Sequence, residues 1–201
     1  MKLAGMVLVA LLPCVAATPE INKSKALGTP NAPLTMEIFS DYTCPHCRVL
    51  HEEILPLFMK DFVVPGKMYV VMREFPLTGP GHQYSREAAT YAVAAARIGK
   101  YEEVADALFK NQATWAINGK VWDTVAAALP NPADQKNLKD KMKDPGVASE
   151  VQRELDEGMA AGVTSTPTMI VTHKGRRYPL NGIETSNYDL IKRFIDDLAS
   201  R

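Results

Sequence analysis

The sequence predicts an α/β fold in which an all-helical insertion separates the two halves of a mixed strand and helix domain. Three observations predict it. A short apolar run, Leu34-Thr35-Met36-Glu37-Ile38-Phe39-Ser40, passes through a turn into apolar residues at helical spacing. From about residue 85 to residue 161 the pattern stays helical. The chain then returns to two strand-like runs and closes on an amphipathic stripe.

In chain order, Leu34 to Ser40 reads as a buried or half-buried strand and Asp41-Tyr42-Thr43 as the turn after it. Val49, Leu50, Ile54, Leu57 and Phe58 then recur on one face of a helix. Pro56 falls inside that helix and, lacking an N–H, should kink or end it. Met68 to Met72 is a second strand, followed by the loop Phe75-Pro76-Leu77-Thr78-Gly79-Pro80-Gly81. In the helical block, Ala88, Ala89, Ala92, Ala95 and Ala96 form a small-residue face stopped at Gly99. Val104, Leu108 and Phe109 mark the next helix, and Trp122, Val125 and Leu129 the one after. Asn131-Pro132 and Asp144-Pro145 each read as an N-cap with proline at the first helical position. The last of these helices carries Val147, Val151, Leu155 and Met159 on one stripe and stops at Gly162. Trp115 and Trp122 read as core residues. Thr168 to Thr172 and Arg177 to Leu180 form a hairpin around Lys174-Gly175. Ser186 is placed to cap a final helix with Leu190, Ile191, Phe194, Ile195 and Leu198 inside.

The start of the chain bears on compartment. Lys2, the apolar run Leu3 to Leu12 and the small residues Val15-Ala16-Ala17 read as a secretory signal peptide over residues 1–17, too short to span a membrane. The alternative is a lipoprotein acylated at Cys14, but Pro13 stands where a small residue is expected. Cleavage after Ala17 leaves Cys44 and Cys47 as the two cysteines of the exported chain, so no disulfide framework supports it and its stability must come from its core. With 46% hydrophobic residues a core is available. The 23 basic and 23 acidic residues balance, which gives no reason to expect nucleic acid or an anionic membrane as partner. Residues 18–33 form a polar, extended lead too short for a dimerisation domain, and the chain reads as a monomer.

The chemistry sits in Thr43-Cys44-Pro45-His46-Cys47-Arg48. A C-x-x-C alone is a weak signal, but one that opens a helix after a strand suits disulfide exchange. The reacting species is a thiolate, and the first helical turn offers unpaired N–H groups and the positive end of the macrodipole. Cys44 is then the exposed nucleophile and Cys47 the resolving thiol. The helix end is worth roughly 0.3–2 kcal/mol and one pKa unit about 1.4 kcal/mol. Direct N–H contacts from His46 and Cys47, with partial charge on the His46 imidazole, must supply any further acidification. A low thiol pKa stabilises the reduced form and makes the disulfide the better oxidant; the intervening Pro45-His46 points that way. A Cu(I) or Zn(II) carrier is the rival from another class, because Cys44, Cys47 and His51 stand at i, i+3 and i+7. In its bland reading His51 lies on a solvated face, and His82 and His173 are surface residues.

The chain resembles the DsbA-like branch of the thioredoxin superfamily. The resemblance is carried by Gly28-Thr29-Pro30-Asn31-Ala32-Pro33-Leu34-Thr35, Phe39 to Cys47, Arg73-Glu74-Phe75-Pro76-Leu77 and Gly162-Val163-Thr164-Ser165-Thr166-Pro167-Thr168. It implies a thioredoxin fold with an all-helical insertion between its two halves. The implied organisation has the first half with the active site over 34–80, the insertion over 81–161, and the second half over 162–201. It implies a cis Pro167 beside the dithiol, with Thr166 facing Cys44, both contacting substrate peptide. It also implies catalysis by Cys44, Cys47, His46 and Pro45 without a cofactor, reduced or unfolded exported proteins as substrates, a membrane-bound reoxidant and a periplasmic or other extracytoplasmic location. A disulfide reductase or isomerase using the same residues is the nearest rival. The chain departs from the pattern at one point: the buried acid that relatives carry six positions before the nucleophile is Ile38 here. Strand alternation sends Glu37 to the opposite face, so the Cys47 proton passes to water or another group unless a bulge turns Glu37 round.

Overall fold

The computed structural model describes residues 22–181 and 187–201; the stretch 1–17 read as a signal peptide, Cys14 and Ser186 lie outside them. Its centre is a five-stranded sheet in the order β1-β3-β2-β4-β5, formed by β1 (Ala26–Leu27), β2 (Leu34–Ser40), β3 (Met68–Glu74), β4 (Thr168–His173) and β5 (Arg176–Asn181). β2 and β3 run parallel and the other pairs antiparallel. Both faces of β2 and β3 are covered, so their residues are buried almost throughout, Glu37, Arg73 and Glu74 included. The lead is not merely extended. It makes a 3-10 turn at Lys23–Lys25 and supplies β1, which pairs with Val70 and Val71 and shields that side of β3.

The helix after the dithiol begins as α1 (Pro45–Val49), widens into a π-type turn at Leu50–Ile54, resumes as α2 (Leu55–Phe58), and widens again at Met59–Val63. Pro56 has no N–H for the carbonyl four residues back, and the wider turns flank it. The extra residue rotates the face: Leu50, Ile54 and Phe58 are buried, whereas Leu57 is turned out.

The insertion comprises α3 (Ser85–Ala96), α4 (Tyr101–Lys110), α5 (Gln112–Asn118), α6 (Val121–Ala128), α7 (Pro132–Lys141) and α8 (Pro145–Ala160). The alanine face of α3 is fully buried. Asn131 and Asp144 cap their helices, accepting from Ala133 N–H at 3.0 Å and Gly146 N–H at 2.8 Å. α5 has no counterpart in the sequence reading; its Trp115 is wholly buried, whereas Trp122 is only partly so. The final helix, α9 (Tyr188–Ala199), is capped by Asn187, which accepts from Leu190 N–H at 3.0 Å. Its Ile191, Ile195 and Leu198 face the core while Leu190 does not.

The inner stripe of α8 differs from the expected one. It consists of Val147, Glu150, Val151, Glu154 and Gly158, and Met159 points to solvent. At Gly158 a Cβ would lie 2.7 Å from the Phe75 ring and 2.9 Å from that of Phe39, so the glycine lets α8 approach the sheet. Glu154 is buried because its charge is matched: its carboxylate reaches Lys25 Nζ at 2.5 Å and Arg73 Nη1 at 3.6 Å. Lys25 also meets Glu74 at 3.3 Å. Burial pushes the Glu74 carboxyl up to about 8, against Lys25, which holds it down, and with the Glu154 charge adding to the rise. One proton is thereby shared into the cluster at neutral pH.

Replacing Lys25 by Met takes the ammonium from between Glu74 and Glu154, leaving Arg73 as the cation beside Glu154, and should cost about 3–5 kcal/mol in denaturant unfolding. Folded Glu74 keeps its proton to about 8, whereas an unfolded glutamate releases it near about 4.3. The folded chain holds the extra proton across that window, so this group's stabilisation is present at low pH and is lost as pH rises through it. Glu74→Gln should flatten that decline; an unchanged pH profile of the unfolding midpoint would refute the assignment.

Candidate active site

β2 delivers its C-terminal end to the site, and β4 delivers the facing wall. In the ladder Phe39 is opposite Thr168, so the turn after Ser40 and the residues just before Thr168 meet at the same edge of the sheet. The Thr166–Pro167 peptide is cis. Cys44 is the N-cap of α1, in extended conformation, with Pro45 at the first helical position. Its carbonyl takes the Arg48 N–H at 3.2 Å, and its own N–H donates to the Asp41 carbonyl at 3.0 Å.

Both cysteines are free thiols, and their surroundings differ. Cys44 Sγ lies 3.3 Å from the Thr166 carbonyl oxygen. The Cys47 thiol is its strongest donor. The Thr166 side chain and the backbone N–H groups of Cys47 and His46 add to it. Together they bring the Cys44 thiol down to about 5, against burial, which pushes it up. Cys47 moves the other way. Burial raises it well above the ordinary thiol range, and the neighbouring Cys44 raises it further, while the Asp41 N–H at 3.4 Å and the Ser40 hydroxyl oppose. The nucleophile is less open than expected: 6% of Cys44 is accessible, against 1% of Cys47, because the Thr166-Pro167 loop lies against it. Pro45 and His46 are exposed.

The Glu37 question has a geometric answer. The β2 ladder is regular from Leu34 to Ser40 against β3 and to Phe39 against β4. Ile38 therefore joins the core cluster that contains both cysteines, and Glu37 faces away. Glu37 accepts from Arg73 Nη2 at 2.9 Å and Arg177 Nη2 at 2.8 Å.

Three histidines differ from their surface reading. His51 stacks on Phe109, ring centroids 4.6 Å apart, with Nε2 at 2.7 Å from Asp106. It follows the point where the helix widens, so the i, i+3, i+7 spacing does not assemble a ligand set. Among the described residues no three His, Cys, Asp or Glu side chains are grouped to hold a metal ion. His173 is buried, with Nδ1 at 3.3 Å from the Pro33 carbonyl oxygen. His82 lies 2.9 Å from the Asp41 carboxyl.

Two further contacts with the dithiol turn were not legible in the sequence. Gln112, from α5, donates to the carbonyls of Tyr42 at 2.7 Å and Cys44 at 3.0 Å. Its one signal is a polar residue at an inward position of the stripe Leu108, Phe109, Gln112, Trp115. The other contact is Asp41, whose carboxyl group bonds Thr43 N–H at 2.7 Å. The reading of Asp41-Tyr42-Thr43 as a turn held the clue, since Asp at such a position commonly closes an Asx turn.

The family model described as Thioredoxin matches residues 20–197. Disulfide bond formation protein D of Bacillus subtilis is 26% identical over 191 residues, covering 90% of this chain and 80% of the relative. The crystal structure of oxidised BdbD from Bacillus subtilis matches with a TM-score of 0.70 at 26% identity, over 91% of this chain and 96% of that one. Wolbachia pipientis alpha-DsbA1 has the same fold, with a TM-score of 0.73 at 21% identity, over 88% of this chain and 90% of that one. The likeness extends along both halves of the sheet and the helical insertion between them, and with the dithiol at its centre the chain belongs to the thioredoxin family as a DsbA-like thiol-disulfide oxidoreductase.

Proposed function

We propose that the protein is an exported dithiol oxidase that introduces disulfide bonds into reduced or unfolded substrate proteins through Cys44 and Cys47. The observation that carries this reading is the opposed poise of the two sulfurs: Cys44 lowered to about 5 and Cys47 raised. A stabilised Cys44 thiolate favours the dithiol form, so the disulfide gives up its bond readily and oxidises others. The signal-like start of the chain and the name of the Bacillus subtilis relative support action in an oxidising compartment outside the cytoplasm.

The exchange proceeds in two steps. A substrate thiolate attacks Cys44 Sγ of the Cys44–Cys47 disulfide, an S–S bond forms to substrate, and Cys47 leaves with the electron pair and takes up a proton. The second substrate thiolate then attacks the substrate sulfur of the mixed disulfide, and Cys44 leaves as thiolate. The substrate loses two electrons as its disulfide closes, and the enzyme is reduced to the dithiol. A low pKa makes Cys44 the better leaving group in the second step. Thr166 and Pro167, which lie against Cys44, are the residues that meet the substrate chain, and His46 adds its N–H to the thiolate. A membrane-bound partner restores the disulfide, and the oxidase works as a monomer without a cofactor.

The test is a glutathione redox equilibrium combined with thiol titration of the mature protein. The expected potential lies near about −120 mV; a value near about −270 mV would instead make the protein a reductase. Thiolate absorbance should appear with a midpoint at about 5, and a midpoint in the free-cysteine range would end the oxidase reading. His46→Ser keeps the backbone N–H and removes the partial positive charge of the imidazole, and for that reason should raise the midpoint and make the pair less oxidising; an unchanged midpoint and potential would remove the side chain from the mechanism. Cys44→Ser should abolish exchange, and Cys47→Ala should accumulate mixed disulfides visible on non-reducing gels.

A further inference from the structure

Beside the dithiol lies a buried polar cluster that the exchange mechanism above does not use. The Asp41 carboxyl group has no accessible side-chain surface and accepts five hydrogen bonds. Oδ1 takes the Thr43 N–H at 2.7 Å and the Thr43 hydroxyl at 2.8 Å. Oδ2 takes the Leu77 N–H at 3.0 Å, the Ser85 hydroxyl at 3.0 Å and His82 Nδ1–H at 2.9 Å. The Thr43 hydroxyl, having given its proton to Asp41, lies 2.7 Å from both His82 Nδ1 and Ser85 Oγ. A carboxylate oxygen only accepts, so these neighbours place a hydrogen on His82 Nδ1.

Residue 41 also touches the dithiol with its backbone. Its N–H points at Cys47 Sγ, 3.4 Å away, and its carbonyl takes the Cys44 N–H at 3.0 Å. The direction in which these groups aim depends on how firmly residue 41 is held. Thr43 holds it locally, whereas Leu77, His82 and Ser85 hold it from the loop after β3 and the start of α3. His82 keeps 24% of its side-chain surface accessible, which makes it the solvent-facing member of an otherwise closed cluster.

We propose that His82 is a positioning residue for the redox pair: by donating from Nδ1 to Asp41 and Thr43 it fixes the turn 41–44, and with it the Asp41 N–H aimed at Cys47 Sγ and the Asp41 carbonyl that anchors the Cys44 N–H at the start of α1. Without that donor, one buried carboxyl oxygen beside the dithiol loses a partner and the turn loosens. The Cys44 thiolate is then less stabilised, and the disulfide becomes a weaker oxidant.

The experiment compares His82→Leu, which removes the donor, with His82→Asn, whose amide N–H reaches the place of Nδ1. In the glutathione equilibrium His82→Leu should make the pair less oxidising by about tenfold, the scale of one lost hydrogen bond to a charged group, and should slow alkylation of Cys44 near neutral pH. His82→Asn should restore most of both. A folded His82→Leu protein with the parent's equilibrium constant and alkylation rate overturns the inference. So does a His82→Asn protein as impaired as His82→Leu, because the ring's packing rather than its donor would then matter. Should His82→Leu fail to fold, Thr43→Val decides: the same loss of oxidising strength supports the turn-fixing role, and parental values refute it. The inference rests on the dithiol reading, and the two fail separately. A parent protein that does not exchange with glutathione defeats that reading, whereas an active parent with an indifferent His82→Leu defeats this one alone.

Discussion

The site depends on the register of β2 between its two neighbours. Side chains alternate along a strand, so a slip by one residue would exchange the faces of Glu37 and Ile38 and everything beyond them. In the observed register Ile38 is packed with the two cysteines while Glu37 is placed against Arg73 and Arg177 on the other face. Each side enforces the choice independently. Turning Ile38 outward would forfeit its burial, and turning Glu37 inward would strand a carboxylate among apolar groups and leave Arg73, itself buried, without that partner. The same register sets Phe39 opposite Thr168 and so brings the Thr166-Pro167 loop against Cys44.

Within that frame, short-range hydrogen bonds rather than the helix end control the thiol chemistry. The end of a helix contributes roughly 0.3–2 kcal/mol, and α1 is only five residues long before its ladder widens. At about 1.4 kcal/mol per unit, lowering Cys44 to about 5 exceeds what that end supplies. The larger contributions come from the Cys47 thiol, the Thr166 side chain and the two backbone N–H groups. They act on one sulfur and not the other: burial dominates at Cys47, and its contacts are Ser40 and the Asp41 N–H. The asymmetry that disulfide exchange requires is thus hydrogen-bond donors at Cys44 set against burial at Cys47, three residues apart.

Much of the fold was legible because it is written in periodicity. The strand before the dithiol, the alanine face of α3, the proline-led starts of α7 and α8 and the closing hairpin all follow from local rules of spacing and capping. What escaped is polar and tertiary. Glu150 and Glu154 sit on the buried stripe of α8, where a hydrophobic pattern skips them, because Lys25 and Arg97 come from distant segments to match them. The lead became a strand because β3 offered it a free edge. His51, His82 and His173 were read as surface groups since no sequence spacing connects them to Asp106, Asp41 or Pro33. Cys44 was legible as the nucleophile but not its degree of cover, which is set by a loop more than a hundred residues away.

The helical insertion has a structural consequence for the dithiol beyond its bulk. It separates β3 from β4 in sequence, yet it contributes polar contacts at the turn that the sheet itself does not provide: Gln112 takes the carbonyls of Tyr42 and Cys44, and Ser85 reaches Asp41. The Tyr42 carbonyl precedes the helix and lies outside its ladder, where burial without a donor would be costly, while the Cys44 carbonyl takes the Arg48 N–H as well. The amide of Gln112 meets both from α5, so the insertion must dock before the turn is fully satisfied. Two parts of the chain therefore converge on the reactive cysteine: the insertion holds the backbone that presents Cys44, and the second half of the sheet brings Thr166 to its sulfur. Neither part contains the dithiol, and the poise of Cys44 is for that reason a property of the assembled domain rather than of its Cys-Pro-His-Cys segment.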